Sequence, residues 1–151
     1  MLIPMKVDYA VRMLVFLAMQ PEGGLTSTST IAQQQHIPEP YLLRISADLA
    51  RSGLIESRRG PGGGVRLALS ASEITVGRVV DCVDHSFAAI DCLSEPTACL
   101  ISGACSQREL WGDVEKMLLD YLFHIKIADL VEKQHELQGI QELALEVGSP
   151  N

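Results

Sequence analysis

The chain has 151 residues, 47% of them apolar and 21% charged, which is ordinary for a soluble globular protein of one or two small domains and excludes disordered and fibrous classes. Its longest apolar run, Met13 to Met19, has 7 residues, short of the ~20 needed to span a membrane, and no cleavable leader pattern surrounds it, so a cytoplasmic protein is expected. The net charge of −7 hides a division: residues 1–70 hold seven bases and five acids, whereas residues 71–151 hold five bases and fourteen acids, so only the first part could face phosphate.

Lys6 to Gln20 reads as a helix apolar on nearly every side, interrupted by Asp8 and Arg12, so most of its surface must be packed. Pro21 to Gly24 ends it. Thr26 or Ser27 then offers an N-cap for a short helix over Ile31 to Gln35. After His36-Ile37-Pro38, Pro40 suits the first turn of a third helix, whose Leu42, Ile45 and Leu49 share a face until Gly53 caps it. Two short helices across a tight turn form a helix-turn-helix.

Leu54 to Arg59 and Val65 to Leu69 flank the glycine-rich Gly60 to Gly64, and Val65, Leu67 and Leu69 alternate with Arg66 and Ala68 as a half-buried strand does. The glycine run lacks the third glycine of a dinucleotide fingerprint and any Gly-Lys-Ser/Thr, and it leads into a strand, which disfavours a nucleotide loop. Three helices and such a hairpin make a winged helix-turn-helix, with Arg58, Arg59 and Arg66 beside the wing tip. Residues 1–70 are therefore expected to be a DNA-binding domain.

Glu73 to His85 continues as a helix, and Asp91 to Cys105, broken by Pro96 and Gly103, as a loop. Gln107 to His135 reads as one helix of 29 residues, about 43 Å long at 1.5 Å per residue. Trp111, Leu118 and Ile125 occupy one heptad position and Val114, Tyr121 and Ala128 another, a stripe longer than the winged domain could cover. A homodimer through this helix is expected, suited to a palindromic double-stranded operator. Gly139 marks a bend before a short terminal helix over Gln138 to Val147. The fold class is thus mainly α: a winged helix-turn-helix, then a cysteine-bearing loop and long dimerisation helix over residues 71–151.

Of four cysteines, Cys92, Cys99 and Cys105 fall in that loop with six and five residues between them. A disulfide framework is unexpected in a reducing compartment, and the gaps match neither paired zinc knuckles nor a ferredoxin run, so an iron-sulfur site, zinc and unconnected buried thiols all stay open. Cys82, on the preceding helix, reads as a packed thiol. Three soft thiolates would leave one iron of a cluster short of a ligand, and Asp8, His85, Cys82 and Glu109 are candidates that spacing does not separate. No arrangement of nucleophile and base or of paired carboxylates suggests catalysis, so no enzyme is expected.

These residues resemble the iron-sulfur-dependent winged-helix regulators that include IscR, NsrR and RirA. The likeness runs through Asp8 to Arg12, Ile37 to Leu42, Ser52 to Leu67, Glu73 to Val76, the three-cysteine loop and Ile127 to Val131. It implies a dimeric transcription regulator, a repressor, whose DNA binding depends on a cluster, four-iron rather than two-iron, held by Cys92, Cys99 and Cys105. The histidine found three residues after the last cysteine of IscR-type proteins is here Arg108, whereas Asp8 matches the first-helix aspartate that NsrR-type proteins supply across the dimer. The first cysteine gap is one residue longer than in either, and Glu39 to Leu42 and Gly64 to Leu67 look more like RirA, so nitric oxide, redox state and iron supply all stand as signals.

Where relatives carry polar base-reading groups, this chain has Pro38, Pro40 and Leu43, so readout is expected from Tyr41, Arg44 and Thr28. Arg58, Arg59, Gly62 and Gly63 of the wing would meet the backbone or minor groove. Two alternatives accompany this reading: a cluster-free regulator of thiol or cysteine metabolism with the same fold, and a small iron-sulfur electron carrier, which would leave the wing without a role.

Overall fold

The first helix, α1 (Met5–Ala18), buries Val7, Ala10, Met13, Leu14 and Leu17, a spacing of three and four residues that puts them on one face. Around it the computed structural model, which describes residues 3–21, 23–84 and 90–147 with side chains as far as 141, sets α2 (Thr28–Gln35), α3 (Glu39–Arg51) and a hairpin of β1 (Ile55–Arg58) and β2 (Gly64–Leu67). The antiparallel register pairs Ile55 with Leu67 and Glu56 with Arg66, turning Ile55 and Val65 into the core. Next come α4 (Val76–Val83), α5 (Asp91–Ser94), α6 (Ser106–His124) and α7 (Ile127–Val147). Among the described residues no helix is long and apolar enough to cross a membrane.

Side-chain caps mark the starts of two helices. Ser27 accepts a hydrogen bond from the Thr30 N–H at 3.1 Å at the start of α2, and Thr75 does the same for the Arg78 N–H at 3.2 Å at the start of α4. The apolar core joins α1, α2, α3, the hairpin and α4, and Ile127 of α7 enters it fully buried.

The C-terminal half differs from the single helix expected over 107–135. The helix breaks at Ile125 and Lys126, because backbone groups there bond elsewhere: the Val76 N–H donates to the Ile125 carbonyl at 2.8 Å and the Ile127 N–H to the Ile74 carbonyl at 2.9 Å. Thr75 and Lys126 thus form an antiparallel bridge. A local signal supports the restart, since Asp129 accepts from the Lys126 N–H at 2.8 Å as the third residue of α7. Once broken, the two pieces find partners within the chain. Leu119 and Leu122 of α6 and Leu130 and Val131 of α7 all pack against the core, so the winged domain covers more of this region than one straight helix would allow.

Two smaller expectations also change. No bend occurs at Gly139, and α7 runs unbroken to Val147. The stretch from Asp91 to Cys105 contains helical turns at 91–94, 96–98 and 102–104 rather than plain loop. His85 lies outside the described residues.

Candidate nucleic-acid interface and cysteine loop

The turn between α2 and α3 is closed by His36 in a left-handed conformation (φ 52°), while the Ile37 N–H reaches back to the Ala32 carbonyl at 2.9 Å and Ile37 is buried. The core takes Leu42, Ile45 and Leu49 of α3, which turns Pro40, Leu43, Arg44 and Ala47 outward. Tyr41 is also exposed and meets Tyr9 of α1 edge-on, with ring centroids 6.2 Å apart. Thr28 opens α2 and, with Ser27, stands across a cleft from Arg58 and Arg59 of the wing.

The wing is fastened to the helix-turn-helix by its backbone. Thr26 and Val65 exchange two hydrogen bonds, at 3.0 and 2.8 Å, just before α2 begins. Such closeness requires Gly64, whose Cβ would lie 2.5 Å from the Thr26 carbonyl oxygen, and Gly63, whose Cβ would collide with the Arg58 carbonyl. Gly62 sits at the tip with φ +70°. Arg58 and Arg59 project freely into solvent, whereas Arg66 pairs with Glu56 across the strands at 2.7 Å. The hydroxyl, phenol and guanidinium donors of Thr28, Tyr41, Arg44, Arg58 and Arg59 thus all lie on or beside the outward surface of α2, α3 and the wing.

The cysteine loop follows different rules. Cys92 lies in α5, Cys99 follows the turn at 96–98, and Cys105 caps α6; all three are free and half-exposed, whereas Cys82 is buried in α4. Cys105 borders an open groove of about 580 Å³ with Leu93, Arg108 and Glu109. Beside it Ser102 Oγ and Arg108 Nε are buried without hydrogen-bond partners, an unusual state for polar atoms. Among the described residues no three histidine, cysteine or carboxylate side chains stand together as a ready metal site. The donor set nevertheless fits an iron-sulfur group: three accessible soft thiols on one short segment, with an unpartnered guanidinium N–H next to the last of them.

Asp8 pairs with Arg12 one turn along α1 at 2.6 Å, and Arg12 also approaches the Gln35 carbonyl at the end of α2 at 3.4 Å. Within one chain, then, Asp8 is bound to its helix neighbour and does not join the three cysteines in a ligand set. Glu109 is exposed on the first turn of α6. Three features escaped the sequence reading. Lys6 pairs with buried Asp84 at 2.8 Å, tying α1 to the end of α4; Thr26 anchors the wing; and Ser102 and Arg108 flank Cys105 with unmet polar atoms. Only the last had a visible signal, a serine and an arginine within three residues of the final cysteine.

A family model for Rrf2, an iron-dependent transcriptional regulator, matches residues 3–133. The chain is 30% identical over 137 residues to the HTH-type transcriptional regulator NsrR of Halalkalibacterium halodurans, covering 90% of this chain and 94% of that protein. Its fold is similar to the solved structure of T. potens IscR, with a TM-score of 0.74 at 28% identity over 91% of each chain. It is also similar to CymR, the global cysteine regulator of B. subtilis, with a TM-score of 0.70 at 26% identity, covering 88% of this chain and 98% of CymR.

Proposed function

The chain belongs to the Rrf2 family of transcriptional regulators, and from that premise we propose that it is a homodimeric repressor whose grip on an operator is set by an iron-sulfur cluster. Cys92, Cys99 and Cys105 would hold that cluster, with Asp8 of the partner subunit as fourth ligand. The observation that carries this reading is the pair of unpartnered polar atoms, Ser102 Oγ and Arg108 Nε, beside the half-exposed thiol of Cys105. When bound, the cluster supplies an iron centre open to nitric oxide, to oxidants and to loss when iron is scarce.

The chain's own residues transmit the result. Asp8 shared with a cluster would hold Arg12 less firmly, and Arg12 also reaches the Gln35 carbonyl at the end of α2. Asp8 thereby links the occupancy of the loop to the attitude of the helix-turn-helix. The outer stripe of α6, with Leu110, Met117 and Tyr121 exposed, supports the dimer that brings Asp8 of one protomer toward the cysteines of the other. Thr28, Tyr41 and Arg44 would meet bases, and Arg58, Arg59, Gly62 and Gly63 the backbone.

A second reading, a regulator of cysteine metabolism without a cluster, draws support from the likeness to CymR and from Asp8 having its partner in Arg12. Membership of a regulator family sets the electron-carrier reading aside and leaves no ground for an enzyme.

Anaerobic reconstitution with iron and sulfide, followed by absorption, native mass and DNA binding, separates the two. The expected outcome is a coloured four-iron dimer that loses both iron and DNA affinity after nitric oxide or a chelator. Asp8→Ala should keep the cluster with an altered spectrum and weakened control of DNA. A colourless, iron-free protein that still binds one DNA sequence selectively would establish the second reading instead.

A further inference from the structure

On α3 the outward face carries an apolar residue where hydrogen-bonding groups would be useful. Leu43 is 52% exposed, Ala47 is exposed one turn later, and both line a cleft of about 440 Å³ between α3 and the wing. A single exposed leucine is ordinary. The setting of this one is not, because the same cleft is bounded by the hydroxyls of Ser27 and Thr28 and by Arg58 and Arg59.

The guanidinium donors of Arg58 and Arg59 suit phosphate oxygens, and an apolar strip beside them needs an apolar group displayed next to a phosphodiester backbone. The major groove of DNA offers one such group, the 5-methyl of thymine. We infer that Leu43, seconded by Ala47, reads thymine methyl groups, so that part of the operator's sequence preference comes from apolar contact rather than hydrogen bonding. This inference rests on the DNA-binding reading above and assigns a specificity determinant within that surface. Pro40, also outward, adds no donor, which leaves Arg44 and Tyr41 to supply the polar readout from the neighbouring turn.

The test begins with selection of a binding sequence from randomised duplex DNA by the full-length protein. Deoxyuridine is then substituted for thymine one position at a time, which removes the methyl and leaves base pairing unchanged. One or two positions in each half-site should lose about fourfold in affinity, the equivalent of one buried methyl group. Leu43→Ala should lose the same amount on the thymine operator and nothing further on the deoxyuridine one, while Leu43→Met, which keeps an apolar contact, retains the thymine preference. The salt dependence of Leu43→Ala should match that of the native protein. Arg58→Ala combined with Arg59→Ala should instead weaken every sequence alike and flatten the log–log salt slope by about two. An enriched operator on which deoxyuridine is tolerated throughout, or costs Leu43→Ala as much as it costs the native protein, overturns the methyl reading alone. Failure to enrich any sequence overturns the DNA-binding reading and this inference with it.

Discussion

The winged domain and the cysteine arm are built on opposite terms. In the first, α1 buries five of its 14 residues and Ala10, Met13, Leu14, Leu42 and Leu49 have no solvent exposure. In the second, α6 is longer, with 19 residues, yet buries none of them fully, and Leu100, between two of the cysteines, is wholly exposed. The domain's conformation follows from its own core. On the proposed function, the arm's conformation would answer to what binds it, a group on the thiols or a second copy along the exposed stripe of α6. The proposed sensing role would need this division, because the element that responds must be the one whose own chain fixes it least.

The comparison is broken most decisively by truncating one leucine on each side. Leu49→Ala should lower the unfolding free energy by about 2–5 kcal/mol, whereas Leu100→Ala should stay within about 0.5 kcal/mol of the native protein. Equal losses in denaturant titrations would show that the segment around Leu100 is packed after all.

Next, Met117→Asp with Tyr121→Asp, both 64% exposed on the outer stripe of α6, should convert the proposed dimer to monomers in light scattering while the domain keeps its far-ultraviolet circular dichroism. A dimer that persists would move the interface elsewhere. These positions replace Leu118 and Ile125 as the seam to test, since Leu118 is half-buried and Ile125 belongs to the joint with α4.

The joint itself can be sharpened through Gly77, where an added Cβ would lie 2.5 Å from Cγ of the Phe123 ring. Gly77→Ala should destabilise by about 1–3 kcal/mol despite the better helix propensity of alanine. Phe123→Ala in the same chain removes the ring atoms that the new Cβ meets, so the loss in the double variant should be less than the sum of the two separate losses, and thermal melts of the single and double variants read the difference. The smallest effect is expected at the cap of α4, where Thr75→Ala removes the acceptor for the Arg78 N–H and should cost about 1 kcal/mol.

The winged domain was legible because its signals are local. Ser27 caps where a serine should, Pro40 falls in the first turn of α3, and Gly60 to Gly64 turns a hairpin between alternating strands. The break at Ile125 was not legible, because it is caused by Ile74 and Val76, some fifty residues earlier, drawing backbone groups out of the helical pattern. Gly139 misled for the opposite reason: a glycine weakens an exposed helix by about 1 kcal/mol without ending it when nothing nearby competes for its backbone. The thiol-bearing segment could be read from composition. The fourth ligand could not, since sequence spacing carries no information about distance across a dimer, and within one chain Asp8 turns to Arg12.

The bridge between Thr75 and Lys126 also bears on how such a chain can vary. It closes a circuit that runs out along α4, itself part of the core, and returns along α6 by way of α5 and the cysteines. Lengthening the cysteine-bearing part of that circuit is thermodynamically gentle, since each doubling of a flexible loop adds only ~0.6 kcal/mol to the entropy lost in closing it. Insertions or deletions between the cysteines can therefore accumulate over generations without unseating the domain that meets DNA. On the proposed cluster reading, a gap one residue longer or shorter would retune what the loop admits while leaving the winged domain intact.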